Sequence, residues 1–347
     1  MTLSWYLIKV LVNFFQKIVR VWGDTPRFWF IGENLGDMNE NVVLLIGQME
    51  IIASLIVIGL VVQKLKLFTS DLIDALSTIM SKLILPLMLM TVIGSISRED
   101  IIHSWRFFVC SVLCYIITVS LSKLLARFSG IIEPRRSMHA LLMSFGNSGF
   151  IGIPLIVSMF PDTAGIAAAS FSFVESTLYW VVGPMLINNG EKKGIDWRKM
   201  ATPLTFSVFT GLVIVLLNIN LNGLVLWDTM KAVGGTSKYF ASIYIGLCLG
   251  RMGVKKLFGH VKVLLTLPVK LIISPLIAYF LFGKTGIITG DMLTMFIVLF
   301  ATPAGMTLPI LSKIAGMDGE YSSAGCMVST VCCLVSMPFV IWLTSII

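Results

Sequence analysis

Gly146-Asn147-Ser148-Gly149-Phe150-Ile151-Gly152-Ile153-Pro154 interrupts the apolar run Met138 to Phe160. A bilayer needs about 20 apolar residues per helical span, so this run is long enough to cross one. A lipid-facing helix would be apolar throughout. This one carries three glycines, an Asn, a Ser and a proline at mid-depth. Pro154 has no N–H, and its ring crowds the carbonyl of Phe150. The glycines, Gly152 among them, weaken the helix further. The stretch therefore predicts a helix that unwinds inside the membrane. Its bared backbone must be buried in protein or line a wet cavity, because hydrocarbon cannot satisfy it.

A counterpart stands in the second half: Ala301-Thr302-Pro303-Ala304-Gly305-Met306-Thr307-Leu308-Pro309, inside the run Met292 to Ile314. Gly146 aligns with Ala301, Asn147 with Thr302 and Pro154 with Pro309. Interrupted segments in matching positions of two halves point to the binding site of a secondary transporter. Proline-kinked helices without a ligand are the plainer alternative.

Of the 347 residues, 56% are hydrophobic and 13% charged. Soluble domains carry about a quarter charged residues, so the composition is that of a polytopic membrane protein. The net charge of +8 lies mostly in short loops and reports topology. It gives no reason to expect a nucleic-acid partner. The cysteines Cys110, Cys114, Cys248, Cys326, Cys332 and Cys333 all fall in apolar runs, without metal-ligand spacing. They read as small packing residues, and no metal or other cofactor is expected.

Residues 1–40 stand apart as an N-terminal amphipathic extension. Leu3 to Trp22 forms an amphipathic pattern with Lys9, Asn13, Gln16, Lys17 and Arg20 on one side, the pattern of an interfacial helix. Met38 directly precedes the first span, so residues 1–37 read either as a surface helix or as an extension set by start-site choice. Ten spans follow: Val42–Val62, Ile73–Ile93, Ile102–Leu125, Met138–Phe160, Ala164–Ile187, Pro203–Leu217, Gly234–Leu249, Val261–Phe282, Met292–Ile314 and Ser322–Ile347. They divide into a first five-helix repeat, 41–187, a basic cytoplasmic linker, 188–200, and a second repeat, 201–347. Five is odd, so the second half enters the membrane in the opposite sense and the repeat is inverted. Fourteen loop lysines and arginines, from Lys64 to Lys313, lie on one side, against Arg98, Lys231 and Lys284 on the other. The richer side is cytoplasmic by the positive-inside rule, which puts both ends of the ten-span core outside.

Glu50, Lys82, Glu175, Lys238 and Lys270 fall within spans, where an ionisable side chain costs about 2.5–3.5 kcal/mol at the helix centre on insertion scales. Glu175, Lys82 and Lys238 are the candidates for proton or charge coupling; buried structural pairing is the alternative for each. Lys270 and Glu50 read as snorkelling or packing residues.

Gly146 to Pro154 resembles the first crossover motif of the auxin efflux carrier family. Leu83-Ile-Leu-Pro86-Leu, Lys270-Leu-Ile-Ile-Ser-Pro275-Leu, and Thr302-Pro303-Ala304 with Pro309 are similar to its other motifs. The resemblance runs from Asn41 to Ile347 and suggests a short prokaryotic-type member. It implies an all-α integral membrane fold of ten helices in two inverted repeats, with broken helices four and nine crossing. That arrangement is shared with bile-acid and sodium/proton antiporter-like carriers. It also implies a scaffold of spans one, two, six and seven, and a transport domain moving as an elevator. The linker is short, Thr236-Ser-Lys-Tyr239 lacks the family's proline, and Thr302 stands where plant carriers tend to have Asn. The substrate class implied is a small organic anion of the malate or malonate kind rather than auxin.

At such a crossing, half-helix N-termini and free N–H groups suit a carboxylate. The expected substrate-binding set is Asn147, Ser148, Gly149, Thr302, Ala304 and Gly305, with Gly152, Pro154, Pro303 and Pro309 making the breaks. Free carbonyls at Phe150, Leu299 and Gly305 are expected to accept from, or coordinate, a cation. The expected partners are the anion, the bilayer, a coupling H+ or Na+, and a second copy in a homodimer. Two other classes compete. A channel or sensor could share the fold. Gly146-Asn147-Ser148-Gly149 also fits the Gly-x-Ser-Gly of rhomboid-type intramembrane proteases, which need a histidine base. The chain has His103, His139 and His260, none at mid-span. No His-Glu-x-x-His or phosphate-binding glycine loop is present, so no catalytic residue is assigned.

Overall fold

The computed structural model describes residues 39–99, 105–187, 201–252, 260–314, 316–317 and 319–347. The N-terminal amphipathic helix, the linker at 188–200 and His103 lie outside them. The described residues form helices and no strand. In order these are α1 (Glu40–Lys64), α2 (Ser70–Gly94), α3 (Trp105–Phe128), α4 (Arg135–Ser144), α5 (Ser148–Met159), α6 (Ala164–Ile187), α7 (Pro203–Leu216), α8 (Val225–Gly235), α9 (Ser237–Met252), α10 (Val261–Gly283), α11 (Gly290–Phe300), α12 (Leu308–Ile314) and α13 (Gly319–Ile346). Six of them, α1, α2, α3, α6, α10 and α13, are long and apolar enough to cross a membrane. Helices α5, α7 and α11 are shorter and apolar. The protein is an integral membrane protein with multiple spans.

Prolines shape three of these segments by the same device. The residue before Pro86, Pro154 and Pro275 donates its N–H five residues back: Leu85 to Met80 O, Ile153 to Ser148 O and Ser274 to Val269 O. Each is a π turn, which widens the helix where the missing proline N–H would otherwise break the ladder. The helix thus continues through each proline. This corrects the placement of the first break. Gly152 and Pro154 sit within helix, and the chain unwinds before them, at residues 145–147. In the second half, Pro303 is in the unwound stretch 301–307, while Pro309 sits in the first turn of α12.

Two seams organise the packing. Helix α1 lies along α9, and α2 lies against α7 and α8. The α1–α9 seam brings backbone onto backbone. A Cβ on Gly59 would overlap Ile243 O, and one on Gly246 would overlap Ile56 O. Gly246→Ala is expected to force the helices apart and destabilise the protein by about 1–3 kcal/mol, the usual penalty of overpacking. A melting temperature unchanged from wild type would show that the seam has slack.

Helix α4 is anchored at its N-terminal end. Glu133 Oε2 accepts from Ser137 N at 3.1 Å and from Ser137 Oγ at 2.8 Å, and Glu133 Oε1 accepts from Arg136 Nε at 2.8 Å. Burial works against ionisation of this loop carboxyl, but these donors outweigh it and hold the group below the usual carboxylate range.

Candidate functional site

The two unwound stretches meet. Gly146 and Ala304 form an isolated antiparallel bridge. Asn147 N donates to Pro303 O at 2.7 Å, and Gly305 N donates to Phe145 O at 3.2 Å. Each break thus satisfies part of the backbone that the other bares, which buried main chain requires. The closeness depends on glycine. A Cβ on Gly146 would run into Thr302 Oγ1, and one on Gly305 would lie 2.7 Å from Gly146 O.

Side chains satisfy most of what remains. Ala304 N donates to Ser329 Oγ at 3.0 Å, and Cys326 Sγ donates to Gly305 O at 3.0 Å. Cys333 Sγ reaches Ala301 O at 3.6 Å. Tyr179 Oη donates to Thr307 O at 3.0 Å, and Thr302 Oγ1 donates to Leu299 O at 2.7 Å. Two of the cysteines read as packing residues therefore serve as weak donors to the second break. Of the carbonyls expected to be free, Leu299 O and Gly305 O have these internal donors.

Glu175, from α6, closes the first break. Its Oε1 accepts from Gly146 N at 3.2 Å and from Tyr115 Oη at 2.6 Å, and its Oε2 accepts from Ser148 Oγ. Three donors thus converge on this one carboxyl group. Tyr115 is held in an aromatic cluster with Phe145 at the end of the first break and Phe300 at the start of the second, at ring-centroid distances of 5.8 and 5.1 Å. Lys270, from α10, is 1% exposed and donates from Nζ to Phe300 O at 3.1 Å. Gly146 adjoins both charges: it donates to Glu175, and a Cβ on it would lie 3.2 Å from Lys270 Nζ. Lys270 therefore neither snorkels nor merely packs; it is a buried structural charge.

A cavity of about 320 Å³ opens beside the crossing. One wall is Ser81, Lys82 and Leu85 of α2 with Thr202 and Leu204 at the start of α7. The other is the first break and α6, with Gly305 and Thr307. Asn147 is 3% exposed, and its Nδ2 has no hydrogen-bond partner; Ser172 Oγ, 3% exposed on the same wall, has none either.

The candidate residues divide accordingly. Asn147, Ser148, Gly149, Gly305, Glu175 and Lys82 line the cavity. Thr302 and Ala304 lie outside its lining, with Thr302 Oγ1 bonded to Leu299 O and Ala304 N bonded to Ser329. Lys238 is elsewhere, donating from Nζ to Gln48 Oε1 at 2.7 Å on the α1–α9 side. Sequence reasoning missed Tyr115, Ser329, Cys326 and Cys333. A tyrosine or serine within an apolar run carries no signal of which helix it will meet. The described histidines gather away from Ser148: His139 Nδ1 lies 2.7 Å from Tyr321 Oη, and the His260 ring packs on the same tyrosine. Among the described residues, then, Ser148 has a carboxylate for its neighbour and no imidazole.

Comparison with known proteins gives the chain a family. The model of a family described as membrane transport protein matches residues 44–199 and 193–341. No curated protein matches the chain.

Proposed function

The chain belongs to the membrane transport protein family, that of the auxin efflux carriers, and from this premise we propose that it is a secondary transporter of a small organic anion, carboxylate in class, bound where the two broken segments cross. The single observation that carries the reading is the Asn147 carboxamide. It is nearly inaccessible, sits on the cavity wall, and keeps an N–H donor unpaired. A buried donor left unpaired costs about 1–3 kcal/mol, and a carboxylate oxygen in the cavity would recover it. Ser172 Oγ offers a second hydrogen bond from the same wall. Lys82 is the one cationic side chain among the described lining residues and supplies the attraction for an anion. A volume of about 320 Å³ suits a small metabolite, at the low end for ligand pockets.

In this reading the ten spans form two inverted five-helix repeats, 41–187 and 201–347, joined by the cytoplasmic linker 188–200. Both ends of the core face away from the cytoplasm, and the broken segments move as an elevator. Glu175 and Lys82 are the coupling candidates that face the cavity, and Lys238 has no part in it.

Asn147→Ala is expected to reduce uptake of the preferred carboxylate by about 10- to 100-fold, the worth of one hydrogen bond to a charged group. Abundance in the membrane should stay at the wild-type level. The measurement is a carboxylate screen by thermal shift, then flux in proteoliposomes with imposed proton and sodium gradients. Equal flux through wild type and variant would remove Asn147 from the site. A wild type that no carboxylate stabilises would remove the substrate class.

A further inference from the structure

We propose that the Lys270 ammonium is a built-in cation, holding the carbonyl end of α11 where a bound monovalent cation would otherwise be needed, so that the protein works without sodium.

The decisive feature is the C-terminal end of α11. A helix terminates there inside the protein, at the crossing, and its last carbonyls carry the negative end of the helix dipole. In carriers with broken helices, such C-terminal half-helix ends and unwound carbonyls coordinate Na+ or H+. Here the three carbonyls at that end are met by side chains of this chain. Leu299 O receives Thr302 Oγ1, Phe300 O receives Lys270 Nζ at 3.1 Å, and Ala301 O receives Cys333 Sγ. Only one of the three donors is a cation. Gly146 links it to Glu175: the Gly146 N–H donates to the Glu175 carboxyl, and a Cβ on Gly146 would lie 3.2 Å from Lys270 Nζ.

The other groups near the ammonium are the thiols of Cys114 and Cys333 and the Gly146 backbone. With the lysine head removed, the Phe300 carbonyl would be bare, with the Thr302 hydroxyl and the Glu175 carboxyl reached across Gly146. Hard oxygen donors carrying a single negative charge suit a monovalent cation such as sodium. The lysine has no route to solvent in this arrangement, since its side chain is among the largest fully buried ones. A permanently tethered cation needs no gradient to fill the site. The inference rests on the carrier reading for its consequence in transport, but not for the binding it invokes.

The test compares melting of the purified full-length protein in sodium chloride and in choline chloride of equal ionic strength. Wild type is expected to melt at the same temperature in both. Lys270→Ala is expected to melt lower than wild type in choline and to regain stability in sodium, saturably with concentration. Lys270→Met, which keeps the stem and removes the charge, is the second variant should the alanine protein fold poorly. A sodium-specific rise in wild type would overturn the proposal, because the site would then be filled by the ion. So would the absence of a sodium-specific rise in both variants, or failure of both to fold in sodium, since the ion should stand in for the ammonium. No substrate enters this measurement. A failed carboxylate screen would remove the cargo and leave this result standing, and the converse also holds.

Discussion

Glu175→Leu is expected to destabilise the protein by about 3–5 kcal/mol, since each buried donor left without an acceptor costs about 1–3 kcal/mol. Three donors would lose their acceptor at once: Tyr115 Oη, Gly146 N and Ser148 Oγ. The Lys270 ammonium would remain buried without its counter-charge. A charge taken out of water is tolerated only when paired and hydrogen-bonded. The double variant Glu175→Gln with Lys270→Met removes both charges while keeping volume, and is expected to recover most of the loss. Replacing both members of a buried pair is often close to neutral where removing one is not. Thermal melting of Glu175→Gln, Lys270→Met and the double variant, read as a cycle, checks this. Additive single effects would mean that the two groups do not interact.

Gly146→Ala and Gly149→Ala should behave as opposites, although the two glycines lie within one short motif. The new methyl at 146 would meet Thr302 Oγ1 and press on Lys270 Nζ, with the backbone bridge to Ala304 fixed beside it. Overpacking of this kind costs about 1–3 kcal/mol, and here it also pushes apart the two stretches that shape the cavity wall. Loss of transport together with a lowered melting temperature is the expected result. At 149 the nearest atom, Leu85 Cδ1, is 4.0 Å from the methyl position. Gly149→Ala should therefore fold and melt like wild type, with its effect confined to the space left for substrate. A Gly146→Ala protein of normal stability and flux would show that the crossing can spread without consequence.

The contrast between those glycines shows how far the residues alone could be read. Proline, glycine and asparagine inside apolar runs marked both interruptions, because composition at mid-membrane is a one-dimensional signal. Ala164–Ile187 was legible to the residue for the same reason. The three glycines of the motif looked equivalent in sequence. Only the approach of the other break separates Gly146 and Gly152, which have no room for a methyl, from Gly149, which has it. Pro154 misled in the opposite way. A proline is expected to open the helix at its own position, but a π turn absorbed it and the chain opened earlier. The buried charges were visible, yet their partners were not. Glu175 and Lys270 come from different halves, and no spacing rule relates them. Lys238 and Lys82 carry the same kind of signal, and only the fold sends one to Gln48 and the other to the cavity wall.

The clasp between residues 145–147 and 303–305 dictates where any sliding can take place. Prising it open within the apolar interior would strand amide and carbonyl groups at several kcal/mol apiece. On the proposed carrier reading, both broken segments would therefore move together. The glycine seam of α1 and α9 is equally unforgiving, being main chain keyed into main chain. On that same carrier reading, the cavity between the α2–α7 wall and the Asn147 wall is where two such moving bodies would meet.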